Sequence, residues 1–273
     1  MRLDQLTIGE LEAWLRGLTW QQVEEILPRL QEDPRRGVKD LGRRWLAKIE
    51  KKRKKMHRWQ DLCRREGELR AKGYRYVAGI DEAGRGPLAG PVVAAAVILP
   101  VDKPLLGLDD SKKLTSRQRQ ELYREITKAA LAWSVGYSSP QYIDATDILQ
   151  ATRRAMEKAL EKLPVRPDYL LVDALHLPDV DLPQEGIEGG DGKCACIAAA
   201  SVVAKVTRDA WMEGWDRQYP GYGFARHKGY PTPEHLEALT KLGPCPLHRR
   251  SFQPLAELFP VKGIAGGEVG EDG

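Results

Sequence analysis

Four acidic residues occupy positions where a carboxylate is costly. Asp81 and Glu82 follow directly on the apolar run 76–80, YVAGI. Asp173 ends a second apolar run, 169–172, YLLV. Asp209 follows a small-residue run, 193–205, that leads into Val206-Thr-Arg-Asp209. Short apolar runs bounded by Gly and Pro read as buried strands. An acid at the end of such a strand needs a paired or bound cation. No Cys or His stands near these four at metal-ligand spacing, so the donor set is all oxygen and suits Mg²⁺ or Mn²⁺ rather than Zn²⁺. Two such ions about 3.5–4 Å apart clamp the attacking and departing oxygens of a phosphodiester, with Asp81 as the expected bridging ligand. Without metal the crowded carboxylates repel one another, and partial protonation is expected. Taken singly, Asp173 reads as an ordinary turn acid; taken with three others behind apolar elements, it reads as part of one site. The turn Gly84-Arg85-Gly86 follows the first acid pair, and a metal and phosphate site accounts for it better than a solvated hairpin does.

The elements that must carry these residues are legible in outline. Beyond the glycine turn, Pro91 opens another apolar run that extends to Pro100. Ser111 or Thr115 is a candidate cap for a helix over 116–130, residues 132–137 alternate as a third strand, and Asp144 or Thr146 is expected to cap a helix reaching Leu163. The segment 179–192 is rich in Pro, Gly and Asp and reads as a loop. An Ala-rich helix packs closely on a sheet, so the run containing Ser201, Lys205 and Asp209 should be central. Thr232 is positioned to cap a late helix behind Pro233. Upstream, Thr7-x-x-Glu10 and Thr19-x-x-Gln22 look like capping boxes of two short helices, with Pro28 and Pro34 marking the end of the second. From Val38 through Leu41, Trp45, Ile49, Met56, Trp59 and Cys63 the apolar spacing is helical.

Charge is unevenly spread. Residues 34–75 hold 17 Lys and Arg against 5 Asp and Glu, while the whole chain is only +4, so the remainder is net acidic. Five consecutive cations at 51–55 destabilise an isolated helix unless an anion offsets them. This block points to a polyanion partner, nucleic acid before anionic membrane. No apolar stretch has the length of a membrane span, and the start MRLDQLTIGE has no signal-peptide core, so a cytoplasmic protein is expected. Four cysteines in 273 residues are no disulfide framework. Cys194-x-Cys196 could ligate zinc with Cys245 and His248; reduced buried thiols are the simpler expectation. The division expected is a basic helical extension over 1–72, a catalytic body over 73–262, and a disordered tail over 263–273.

Five stretches, YVAGIDEAGRGPLAGPVV, DSKKL, LLVDAL, IAAASVVAKVTRD and HKGYPTPEH, together closely resemble ribonuclease HII, the bacterial type 2 ribonuclease H. The resemblance covers about 74–252 and implies an α/β ribonuclease H fold: a mixed five-stranded sheet flanked by helices, three strands antiparallel and two more parallel to the first. It maps the family's catalytic and metal-binding acids onto Asp81, Glu82, Asp173 and Asp209. The intact Gly84-Arg85-Gly86 resembles HII rather than HIII, and implies reading of a ribonucleotide at an RNA–DNA junction. Physically, glycines admit the backbone close to a ribose 2′-hydroxyl, and Arg85 can hold the adjacent phosphate. Tyr230 resembles the tyrosine that packs on that junction. Ser111, Lys112, Lys193, Ser201 and Lys205 are further candidate phosphate contacts. The activity implied is metal-dependent cleavage of RNA paired to DNA, and of duplex DNA 5′ of a single embedded ribonucleotide, leaving 5′-phosphate and 3′-hydroxyl. A monomer is expected. A DNA nuclease of the same fold, or a binding module using only the basic helix, are the rival readings. The resemblance does not reach 1–72, and GGEVGEDG at the C-terminus lacks the apolar and aromatic residues of a clamp-binding peptide.

Overall fold

The structure is a computed structural model that describes residues 3–260; the tail expected to be disordered lies outside the described residues. The chain divides into two compact units, one up to Gln60 and one from Asp61. That division falls twelve residues before the boundary at 72 drawn from sequence.

The first unit is helical. Helices α1 (Ile8–Arg16) and α2 (Trp20–Glu32) both open on complete capping boxes, Thr7 with Glu10 and Thr19 with Gln22. Pro28 lies inside α2 rather than at its end. Proline forfeits one N–H bond there, and burial of Leu27 and Leu30 on either side carries the helix onward. The long helix α3 (Arg36–Leu62) buries Val38, Leu41, Trp45 and Ile49 against Leu11, Leu15, Val23 and Leu30. Its cation run is partly offset: Arg53 pairs with Glu24 at 2.9 Å, and Lys52 stands 4.4 Å over the Trp20 ring.

The second unit begins with α4 (Arg64–Ala71), followed by β1 (Val77–Ala83), β2 (Val92–Ile98), α5 (Ser116–Ala129), β3 (Ala132–Ser138), α6 (Pro140–Ala145), α7 (Ile148–Glu161), β4 (Tyr169–Asp173), β5 (Gln184–Ile187), α8 (Ala195–Gln218), α9 (Phe224–His227), α10 (Pro233–Leu242) and α11 (Leu255–Leu258). The sheet order is β3-β2-β1-β4-β5. β2 lies between β1 and β3 and is antiparallel to both, while β4 and β5 run parallel to β1. β2 is buried along its whole length, with Ala94, Ala95 and Ala96 at its centre, because helices cover both faces. Two glycines let those helices approach. A Cβ on Gly79 of β1 would lie 2.1 Å from the backbone of Cys196 in α8, and one on Gly136 of β3 would lie 2.1 Å from the Ala155 carbonyl in α7.

Asp81 and Glu82 lie at the end of β1, as expected, still inside its ladder, where they pair with Ala95 and Ala94 of β2. Several local expectations are corrected. Thr115, not Ser111, caps α5. Asp147 caps α7, and Ser139 caps the separate α6. Asp144 instead accepts from the backbone N–H groups of Arg250 and Ser251. β5 lies within the supposed loop 179–192, a polar edge strand without the apolar alternation that would reveal it. Helix α4 belongs to the second unit for clear reasons. Leu69 is buried there, Arg65 pairs with Glu185 on β5, and the buried Glu66 carboxylate accepts from the Cys196 N–H at 2.7 Å. That bond caps α8, whose own N-cap residue Cys194 provides no side-chain cap. Among the described residues, no helix is long and apolar enough to cross a membrane.

Candidate active site

Strand register assembles the acids. Ile80 pairs with Val172 across the parallel β1–β4 ladder, so the next residues, Asp81 and Asp173, emerge side by side at the same end of the sheet. They line a pocket of about 240 Å³ with Glu82, Gly84, Arg85, Gly86, Ser111, Lys112, Ser201, Lys205 and Tyr230. Asp81 is 4% exposed. Burial, then the charges of Glu82 and Asp173, push its carboxyl well above the usual range, although the Ser201 hydroxyl and the Glu82 N–H both bond it. Ser201 is in turn 2.8 Å from Ser111, so two of the candidate phosphate contacts serve first to hold Asp81. Burial also raises the carboxyls of Glu82 and Asp173. Arg85 offers Glu82 a long contact of 3.4 Å, and Glu82 Oε2 is buried without a partner. Asp173 accepts from the Gly190 N–H at 2.7 Å.

Not every expected residue is brought in. Asp209 lies one turn of α8 beyond Lys205 and lines an adjoining hollow; its Oδ1 is taken by Lys205 Nζ at 2.8 Å. Lys205, on the pocket wall, is thus the link between Asp209 and the other three acids. Lys193 is exposed and donates to the Glu188 carbonyl, outside the pocket lining. Among the described residues no three carboxylates, imidazoles or thiols stand close enough to ligate one ion as they are, which also removes the Cys194, Cys196, Cys245, His248 zinc set. All four cysteines are free thiols. The donor set still fits a hard cation in one concrete respect: Asp81, Glu82 and Asp173 all have raised proton affinity, and one of their oxygens, Glu82 Oε2, is buried and left unsatisfied by the protein.

Residues that sequence reasoning missed hold the glycine turn from behind. Arg208 and Arg249 are both 0% exposed. Arg249 donates to the carbonyls of Gly84, Arg85 and Gly90. Arg208 donates to those of Ala89, Pro91 and Lys228. Burial lowers Arg208 to about 10 and Arg249 to about 9, so both stay charged at neutral pH. Gly84 has a φ of +95°, and a Cβ there would lie 2.1 Å from Arg208 Nε, so glycine is required by conformation and by space. Asp191 is a further buried acid, paired with Lys112 at 3.2 Å, and Arg119 lines both hollows. The only sequence signal for Arg208 is a long cation in a run of small apolar residues; Arg249 has none. At the mouth, Tyr230 is 41% exposed, a Cβ on Gly86 would lie 3.9 Å from its ring, and Lys205 Nζ stands 5.8 Å from the ring centroid.

A mixed five-stranded sheet with acids at the ends of its parallel strands is the architecture of the ribonuclease H class. The solved ribonuclease H2 of Pyrococcus horikoshii shares it, with a TM-score of 0.56 and 27% identity, covering 67% of this chain and 97% of that one. The ribonuclease HII of Archaeoglobus fulgidus, solved in complex with PCNA, gives 0.56 and 29%, over 66% and 96%. The sequence model of ribonuclease HII matches residues 78–255, and that of the ribonuclease HII N-terminal domain matches 7–70, which extends the likeness into the region where none was seen. The ribonuclease HII of Geobacillus kaustophilus is 50% identical over 259 residues, 90% of this chain and 98% of that protein. The chain belongs to the ribonuclease HII family; it is a type 2 ribonuclease H, a hydrolase with ribonuclease H activity on RNA–DNA hybrids.

Proposed function

We propose that this enzyme cuts the RNA strand of hybrids and also duplex DNA on the 5′ side of a single embedded ribonucleotide, leaving 5′-phosphate and 3′-hydroxyl. The reading is carried by one observation: Asp81 and Asp173, adjacent by register, share a buried pocket with the unpartnered Glu82 Oε2, roofed by a glycine turn. Asp81, Glu82 and Asp173, with Asp209 at the rim, would hold divalent ions, Mg²⁺ or Mn²⁺. Bound there, such ions supply charge neutralisation for the scissile phosphate and lower the pKa of an attacking water. Ser201 and Ser111 orient Asp81 for that role. The backbone of Gly84 and Gly86, unobstructed by side chains, approaches the ribose and bonds its 2′-hydroxyl, while Arg85 takes a neighbouring phosphate. Tyr230 packs against the sugar on the other side of the junction. Lys112 and Lys205, each now paired with an acid, turn to phosphates and position the strand without reading its bases. The cationic face of α3 adds salt-sensitive affinity for the duplex. Monomeric action in the cytoplasm belongs to the same proposal.

The test is cleavage of matched duplexes containing zero, one and many ribonucleotides, with Mg²⁺ and with Mn²⁺. Cleavage restricted to the ribonucleotide-containing duplexes is expected. An all-DNA duplex cut at the same rate would overturn the role of the glycine turn and favour a DNA nuclease of this fold.

A further inference from the structure

Three buried histidines beside the pocket take no part in the chemistry above. His235 and His248 have their Nε2 atoms 3.0 Å apart, a contact that requires one N–H and one lone pair. The Cys245 N–H donates to His248 Nδ1 at 2.9 Å, so that nitrogen carries the lone pair. The Cys245 carbonyl, 3.3 Å from the same nitrogen, is already bonded by the His248 N–H at 3.0 Å. The His248 proton therefore sits on Nε2 and is donated to His235 Nε2. His235 must then carry its own proton on Nδ1, which is 2.9 Å from the Tyr230 carbonyl. His227 is set in the same manner: the Gly229 N–H donates to its Nδ1, and its Nε2–H meets the Tyr222 carbonyl at 2.7 Å. Its ring stacks on His235 with centroids 4.4 Å apart. Burial lowers His235 and His248 to about 4 each, so both rings are neutral at neutral pH, as a one-way chain of donors needs.

The chain of bonds ends on the peptide of Tyr230. Its carbonyl accepts from His235 and from the Thr232 N–H, and its own N–H is bonded to the His227 carbonyl. Gly229 precedes it at a φ of +85°, where a Cβ would lie 2.4 Å from the Ala89 carbonyl. The other end is equally informative. His248 is followed by Arg249, which holds the carbonyls of Gly84 and Arg85. The two neighbours lie in a short segment hydrogen-bonded to residues 88–90: Gly90 N–H to Leu247, and Arg249 N–H to Leu88. The Leu88 N–H in turn reaches the Gly229 carbonyl. One short segment, 247–249, therefore braces both walls of the ribonucleotide-reading cleft.

We propose that His248 and His235 are positioning residues for substrate specificity: their hydrogen-bond relay fixes the Tyr230 peptide, and so sets the ring at its distance from the Gly84–Gly86 turn that the adjacent Arg249 holds. This rests on the reading of Tyr230 and the turn as the ribonucleotide contacts. The test uses His235→Leu, which removes the donor to Tyr230, and His235→Asn, whose Nδ2 replaces Nδ1. Each is placed in the unaltered chain and in Tyr230→Ala, and kcat and KM are measured on a duplex with one ribonucleotide, with thermal unfolding in parallel. His235→Leu should lower kcat/KM about tenfold, the worth of one buried hydrogen bond, with His235→Asn recovering most of it. In the Tyr230→Ala background the His235→Leu loss should vanish. An impaired Tyr230→Ala whose activity falls a further tenfold with His235→Leu overturns the relay alone. An unimpaired Tyr230→Ala overturns the reading of Tyr230 and the relay's purpose with it. Should the leucine variant not fold, imidazole ¹⁵N couplings in the unaltered protein decide: His235 protonated at Nδ1 and His248 at Nε2 support the relay, and the opposite pair overturns it.

Discussion

Two sets of buried polar side chains, a few residues apart in space, are built in opposite ways. In the pocket, Asp81, Glu82 and Asp173 are packed as like charges, their proton affinities are raised, and Glu82 Oε2 has no partner. Behind it, Arg208, Arg249, His227, His235 and His248 engage backbone carbonyls, backbone N–H groups or one another, and no nitrogen of theirs is among the unpartnered buried atoms. An unpaired buried charge is expensive, and a fully bonded buried network is rigid. The first set is thus incomplete without a ligand, while the second is complete in the protein alone. The contrast separates groups kept for chemistry from groups kept for shape.

Breaking each set should give distinct signatures. The largest effect is expected for Asp81→Asn, which removes the buried carboxylate that β1 presents beside Asp173: kcat should fall at least about 10³-fold while duplex binding persists, measured by single-turnover cleavage and by binding in parallel. Retained turnover would remove Asp81 from the chemistry. Next, Arg249→Met strands the carbonyls of Gly84, Arg85 and Gly90. It should cost about 3–5 kcal/mol by denaturant unfolding and impair cleavage through the turn. An unchanged midpoint would show the scaffold to be dispensable.

The carboxylates should carry the opposite stability sign. Their folded proton affinities lie above those of the unfolded chain, so the stability they contribute is present at low pH and lost as pH rises through the raised values. In chelator, Asp81→Asn should therefore be more stable than the unaltered chain at pH 8, by about 1 kcal/mol or more, with the gap closing toward pH 4. Saturating Mg²⁺ or Mn²⁺ at about 100 times Kd should stabilise the unaltered chain by about 2.7 kcal/mol and the variant by less. Equal stabilisation of both would place the cation elsewhere. The smallest effect on chemistry is expected from deleting residues 1–60, which leaves Glu66 to cap α8. Affinity at physiological salt and its salt slope should fall while kcat at saturating substrate holds; unchanged affinity would dismiss the α3 face as a duplex contact.

Legibility varied with the range of the interaction concerned. The acids, the glycine turn and the small-residue helix were readable because short apolar runs, turn residues and Ala-rich stretches are local patterns tied to one kind of backbone. The capping boxes at Thr7 and Thr19 were accessible for the same reason, donor and acceptor being three residues apart, while the cap of α5 was left between Ser111 and Thr115. Strand β5 was hidden because a polar edge strand is stabilised by its neighbour's ladder and has no apolar alternation of its own. The Asp144 assignment failed because its partners, Arg250 and Ser251, lie about a hundred residues away.

Amino-acid order alone was enough for the chemistry available: oxygen donors, a glycine turn and a basic helix are matters of residue type and near spacing. Only the folded chain decided that Asp209 is held off by Lys205, that Lys193 points elsewhere, and that Glu66 caps a helix 130 residues away. It alone brought Arg249 and His248 to the back of the cleft. Those outcomes are hydrogen bonds between distant segments, and they exist only once sheet register and helix packing have set which backbone groups need a partner.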